Sequence, residues 1–189
     1  MRPRRHPAPP RSRPDRRYPD PLFAALVLRC VADLDTAAAG VLLAEVGGRL
    51  RVAASSSPQG RALEMFAAVL CTGPAVDALS TGAQVRCPDV DLDTAHWPGY
   101  AAAARAAGFR AVHAVPLRHG GVVLGALSLL DTRPQTLGDD HRDLAQRYAD
   151  DAAATWHHTS GRPRPEHRPR WEPRPTTTVG EPPCCSGSS

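Results

Sequence analysis

Apolar residues of the first ordered stretch recur at helical spacing. Leu22, Leu26 and Cys30, with Phe23, Val27, Val31 and Leu34, repeat at i, i+4 and predict an amphipathic helix over residues 21 to 34. Asp20-Pro21 supplies its N-cap and first turn, where proline's missing N–H costs nothing. The period then changes to that of strands. Residues 40 to 46 and 49 to 56 are apolar or alternating runs joined through Gly47-Gly48, and they predict an antiparallel hairpin. Residues 58 to 70 return to helical spacing through Ala62, Leu63, Phe66, Ala67 and Leu70, and the Gly73-Pro74 pair reads as the break that ends that helix.

Residues 84 to 90 form a short strand candidate, and Pro88 within it favours an edge position. Trp97-Pro98 opens an Ala-rich helix that Gly108 stops. Residues 111 to 118 and 122 to 131 carry the densest β-branched and Leu content, and they flank His119-Gly120-Gly121. They predict a second hairpin at the centre of the sheet. A final helix starts at Asp139-Asp140, acids suited to the positive end of its dipole. Leu144, Tyr148, Ala152 and Trp156 run down one side, with Arg142, Arg147 and Asp151 on the exposed side. Two hairpins require antiparallel neighbours, so the expected class is α+β: one antiparallel sheet sandwiched with helices, not a doubly wound parallel sheet.

Composition alters this picture chiefly at the ends. All 23 basic residues are Arg, which excludes chemistries that need a lysine, among them Walker-type phosphate loops and Schiff-base catalysis. Residues 1 to 20 hold seven Arg against two Asp, residues 21 to 160 eleven Arg against fourteen acids, and residues 161 to 189 five Arg against three Glu. The positive net charge therefore belongs to the termini. Fourteen of the twenty prolines fall in residues 1 to 21 and 161 to 189, where large apolar residues are scarce. Such segments cannot offset their ordering entropy, so residues 1 to 20 and 159 to 189 are expected to be disordered tails around a folded domain at 21 to 158.

Export and membrane insertion are not expected. Arg16-Arg17 precedes an apolar run from Leu22 to Leu28, but Arg29 and Asp33 interrupt it, and no stretch approaches the ~18 apolar residues of a span. Five cysteines without C-x-x-C spacing argue against a disulfide or zinc framework and for a reducing, cytoplasmic setting. Cys184 and Cys185 are assigned no role.

Candidate chemistry is sparse. Asp89, Asp91 and Asp93 imitate the start of a calcium loop, but Thr94 and Tyr100 stand where its glycine and last glutamate belong, so no metal is expected. His141-Arg142-Asp143-Leu144 repeats the opening of a kinase catalytic loop, yet Tyr148 replaces the required Asn. It is taken as part of an amphipathic helix. The Arg-rich tails could attract phosphates without sequence preference, although prolines and acids dilute them and no aromatic series offers stacking. A nucleic-acid partner is not the leading expectation.

Several segments together carry a resemblance: Ala39-Gly40-Val41-Leu42-Leu43, Leu50-Arg51-Val52-Ala53-Ala54-Ser55, Cys87-Pro88-Asp89-Val90, His96-Trp97-Pro98, the run from Gly108 to Arg118, and Val123-Leu124-Gly125-Ala126-Leu127. Over residues 21 to 158 the chain resembles a GAF domain. It is most similar to the GAF modules that actinobacterial ANTAR-type regulators place before an RNA-binding helical domain. Only 29 residues follow position 160, seven of them proline, so that output module is not expected here. Motifs for cyclic nucleotides and for bilins are not visible.

The resemblance implies a sheet of five or six antiparallel strands, with the first and last helices on one face and a small-molecule pocket on the other. It places Phe66, Asp89, Trp97, Tyr100, Phe109 and His113 as ligand-binding candidates. Leu22, Leu26, Tyr148, Ala152 and Trp156 become candidates for a homodimer interface. The implied role is a non-enzymatic sensor, without catalytic residue or cofactor, that binds an unidentified small molecule or a signalling partner protein and regulates gene expression or signalling. The runner-up is an ANTAR-derived regulator that contacts RNA or DNA through its arginine tails. Third comes a GAF-fold methionine-sulfoxide reductase using Cys71 and Cys87, of which only Cys87 has a neighbouring cation, Arg86.

Overall fold

A computed structural model describes residues 18 to 160 apart from positions 46, 93 and 136. The expectations for the two tails therefore lie almost entirely outside the described residues. The chain order is α1 (Pro21–Leu34), β1 (Ala38–Ala44), β2 (Leu50–Ser55), α2 (Pro58–Leu70), α3 (Pro74–Thr81), β3 (Val85–Cys87), α4 (Pro98–Ala106), β4 (Ala111–His119), β5 (Val122–Asp131) and α5 (Asp139–Thr159). The strands form one sheet in the order β2-β1-β5-β4-β3, and all four pairings are antiparallel. The β4-β5 hairpin lies at the interior of the sheet and β3 at its edge, as the apolar content and Pro88 predicted.

Local chemistry accounts for most boundaries. Asp20 caps α1 by accepting from Leu22 N at 3.1 Å. Its own N–H donates to the carbonyl of Ala53 at 2.9 Å. Ala53 is available because the β1-β2 register shifts there, from Val41 opposite Ala54 to Leu42 opposite Val52. The bulge thus anchors the start of α1 to the edge strand. Gly120 and Gly121, with φ of 59° and 78°, make the tight β4-β5 turn that side chains resist. Gly125 has a different task, because a Cβ there would stand 2.2 Å from the carbonyl oxygen of Leu42. Only glycine lets β1 and β5 approach at that point.

One helix departs from expectation. Helix α2 already stops at Leu70, where Cys71 takes the left-handed conformation, and Gly73-Pro74 instead opens α3, a two-turn helix closed by Gly82, also left-handed. Proline at N1 starts helices as readily as proline in an interior stops them. The third strand is shorter than predicted, since Pro88 leaves the ladder after Cys87.

The sheet is covered on both faces. On one side α1 and α5 pack over Ala39, Val41, Leu43, Val115, Leu117, Leu127 and Leu129. On the other, α2, α3 and α4 cover Ala38, Leu42, Val112, Ala114, Ala126 and Leu130. The buried stripe of α5 is not the one the apolar spacing favoured: Ala145, Ala149, Ala152 and Ala153 face the sheet, while Leu144, Tyr148 and Trp156 sit at the margin. Small residues let this helix lie close on β4. Arg142, expected on the exposed side, is part-buried and pairs with Asp139.

Candidate functional site

The polar atoms that stand out lie under α2. Ser57 caps this helix by accepting from Gly60 N at 3.0 Å, and Gly60, Leu63, Glu64 and Ala67 then face inward. Glu64 is therefore carried into the core by the same i, i+3, i+4, i+7 pattern that buries leucines. It is only 1 % exposed. Its Cγ lies 2.8 Å from where a Cβ on Gly40 would be, so the missing side chain at Gly40 makes its room. Gly40 pairs across the sheet with Ser128, which is fully buried between Leu127 and Leu129 and points, unlike them, to the α2 side.

Neither carboxylate oxygen of Glu64 has a hydrogen-bond partner among the described residues, and neither does the Ser128 hydroxyl. Burial pushes the Glu64 carboxyl up to about 7, a rise that the nearby Ser128 hydroxyl only partly opposes. The two groups are neighbours without ordinary hydrogen-bond geometry. An unpaired carboxylate in an apolar layer is costly and marks a site that calls for an explanation. Glu64 was not among the residues anticipated from sequence. The inward spacing of α2 was the available signal, since Glu64 follows Gly60 by four residues and precedes Ala67 by three.

Four of the six anticipated ligand residues gather on this face. Trp97, Tyr100 and Phe109 are buried there, and Phe66 packs beside them with its ring toward Gly99. Tyr100 fills a place that Gly73 leaves open, because a Cβ on Gly73 would come within 2.5 Å of the ring. Burial raises its phenol well above the ordinary value, and the charge of Glu64 adds to that rise. The Trp97 indole is held by Asp77 of α3, to which its Nε1 donates at 3.0 Å, and His96 Nε2 reaches the same oxygen at 3.2 Å.

Asp89 and His113 fall elsewhere. Asp89 holds Arg110 Nη2 at 3.2 Å and accepts from Asp91 N at 3.0 Å; that backbone donor, more than the arginine, keeps its carboxyl below the usual range. Asp91 also pairs with Arg105 and Arg110, so these acids tie down the loop around α4. Asp93 lies outside the described residues. His113 alternates with Val112 and Ala114 and so faces α5, away from Trp97 and Tyr100. Its Nε2 lies 3.1 Å from Gln84 Oε1, and Gln84 in turn donates to Gln146 and to the Arg142 carbonyl. Burial first, then the Arg142 and Arg86 charges, lower its pKa to about 4, so the ring is neutral at pH 7. A shallow crevice at the β3 edge includes His113, Cys87, Asp131 and Gln135. It is separate from the α2 face.

The proposed dimer residues are engaged within the protomer. Leu26 and Ala152 are buried between α1, α5 and the sheet, Leu22 packs on the same core, and the Trp156 ring packs tilted against Phe23 with centroids 5.2 Å apart. Tyr148 donates to Asp33 Oδ2 at 2.6 Å beneath the Arg29 guanidinium, 4.1 Å from its ring centroid.

A five-stranded antiparallel sheet with two terminal helices on one face and three on the other defines one architecture of small α+β domains. The GAF domain family model matches residues 22–157, so this chain belongs to that family. No curated protein matches it. Among solved structures it is similar to a domain assigned to a two-component sensor histidine kinase of Sinorhizobium meliloti 1021, at TM-score 0.62 and 16% identity over 74% of this chain and 91% of that one. The GAF domain of the cyanobacteriochrome TePixJ matches at TM-score 0.58 and 17% identity, over 76% and 92%. A type II free methionine-R-sulfoxide reductase from Thermoplasma acidophilum matches at TM-score 0.55 and 16% identity, over 72% and 91%. At such identities the likeness concerns the fold.

Proposed function

We propose that this chain is a non-enzymatic, cytoplasmic sensor that recognises a small molecule on the face covered by α2, α3 and α4 and passes its state to α1 and α5. The observation that carries this reading is the unpaired Glu64 and Ser128 pair inside that face. Strand β5 links the two sides: Ser128 faces Glu64, while Leu127 and Leu129 on either side of it pack under the terminal helices. A ligand that preferred one position of Ser128 would bias the α1-α5 packing by its differential affinity for the two arrangements. The output is regulation of gene expression or signalling through a partner protein docking on α1 and α5. Among the described residues no single helix is long and apolar enough to cross a membrane.

A homodimer through the first and last helices would use what α1 leaves outside, chiefly Leu28, which is 63% exposed. The reductase reading has less support. Cys71 is exposed and directs its thiol to the Ala68 carbonyl at 3.7 Å, whereas Cys87 is buried, a setting that holds a thiol in its protonated, unreactive form. The test is mass spectrometry of compounds co-purifying with the native protein, joined to a thermal-shift screen of metabolites. Sensing requires a compound that raises the melting temperature reproducibly and whose effect is lost in Ser128→Leu. Reduction of free methionine sulfoxide that disappears in Cys87→Ser would overturn the non-enzymatic assignment.

A further inference from the structure

The Glu64 site has a chemistry that narrows its ligand. It offers two carboxylate oxygens side by side and one neighbouring hydroxyl, all buried and none in an ordinary hydrogen bond among the described residues. Around them stand Leu42, Leu63, Ala126 and Leu130, which offer no donors. A divalent cation would need several more oxygen ligands than one carboxylate and one hydroxyl supply, and no group of three metal-ligating side chains assembles among the described residues. An anion would meet the carboxylate's charge with its own. A neutral apolar guest would leave all three polar atoms unpaired. The group that completes the site is a planar cation with parallel N–H donors, which pairs with both oxygens at once and supplies the missing charge.

We infer that the Glu64 and Ser128 pair recognises a small organic cation with a forked N–H edge, an amidinium or guanidinium, which takes the place now filled by the Tyr100 ring. This rests on the reading of the α2 face as the ligand site. Tyr100 is the group to be displaced because it is the large side chain packed against Gly73, where the α2-α3 turn carries no Cβ. Helix α4, which buries Tyr100, packs against α2, which buries Glu64, over the same face of the sheet. Phe66 and Trp97, which pack in the same cluster, would then enclose the apolar body of the ligand, and stacking on aromatic faces suits a guanidinium or amidinium plane.

The experiment is calorimetric titration and thermal shift of the full chain with benzamidine and agmatine, using benzamide and benzoate as neutral and anionic counterparts of the same shape. The cations are expected to raise the melting temperature and the counterparts to leave it unchanged. In Glu64→Gln, which keeps the shape and removes the charge, benzamidine affinity should fall by at least about thirtyfold, the scale of losing one partner of a buried pair. Tyr100→Ala, which clears the space without touching the carboxylate, should bind benzamidine more tightly than the native chain. Equal binding to native protein and Glu64→Gln overturns the inference, as does the absence of cation binding to both the native chain and Tyr100→Ala. A neutral or anionic metabolite that binds both native protein and Glu64→Gln would leave sensing standing and remove the cation. Failure of every class of compound would remove both.

Discussion

Glu64 and His113 are ionisable groups on opposite faces of the sheet, and folding moves them in opposite senses. Glu64 is raised from 4.5 to about 7, so the folded state holds its proton more tightly, and stability falls as pH rises between those values. His113 is lowered from 6.5 to about 4, so the unfolded state binds the proton first, and stability falls as pH drops through that window. Each amounts to ~3 kcal/mol at full extent. Between about 4.5 and 6.5 the two slopes nearly cancel in the native chain, which is expected to show a flat urea midpoint there. Glu64→Gln should expose the histidine's slope, with stability climbing as pH rises from 4 to 6.5 and exceeding the native protein above pH 7. His113→Gln should expose the carboxylate's slope, with stability declining from 4.5 to 7. Parallel profiles in the two variants would show that these groups are not buried as described. The two residues differed in legibility. His113 could be seen as an inward strand position, but Val112 and Ala114 only say that it faces the other way from them, not which helices it meets. Glu64 is hard to read because an acid within an apolar pattern looks like the solvated side of a helix until the position of Gly40 shows where it goes.

Helix caps and strand spacings carry predictions at the level of elements. Ser57→Ala removes the acceptor of Gly60 N and should cost about 1 kcal/mol in urea denaturation without altering the fold, the usual scale of a lost serine N-cap. Gly125→Ala should be far more damaging, because the added carbon meets backbone, the Leu42 carbonyl at 2.2 Å, which cannot swing aside. Loss of the cooperative unfolding transition is the expected outcome, whereas native-like melting would mean that β1 and β5 are not so close. Element boundaries were readable where a local signal exists, as for Asp20-Pro21 opening α1 and Gly120-Gly121 turning β4 into β5. Helix α3 was not read because its eight residues lie within one Gly-Pro punctuation, and that pair can equally end one helix or begin another.

At the level of the molecule, stability is expected to follow position in the sheet. Strand β5 is paired on both sides, with β1 and β4, and is covered by helices on both faces, while β3 is a three-residue edge. Native-state hydrogen exchange should therefore be slowest in β5 and several orders of magnitude faster in β3, with α3 among the first helices to open. Uniform protection would indicate that the edge is covered by something else. The amino-acid pattern by itself determined the succession of helices and hairpins, the antiparallel character of the sheet and the family, because turns, caps and periodicity act over a few residues. Tertiary structure alone decided which stripe of α5 meets the sheet, that a glutamate is sealed over Gly40 and Ser128, that His113 turns from the aromatic cluster toward α5, and that Leu26, Ala152 and Trp156 pack within the protomer. Those are consequences of how distant strands come together, and a side chain's charge state and partners depend on neighbours that sequence distance does not reveal.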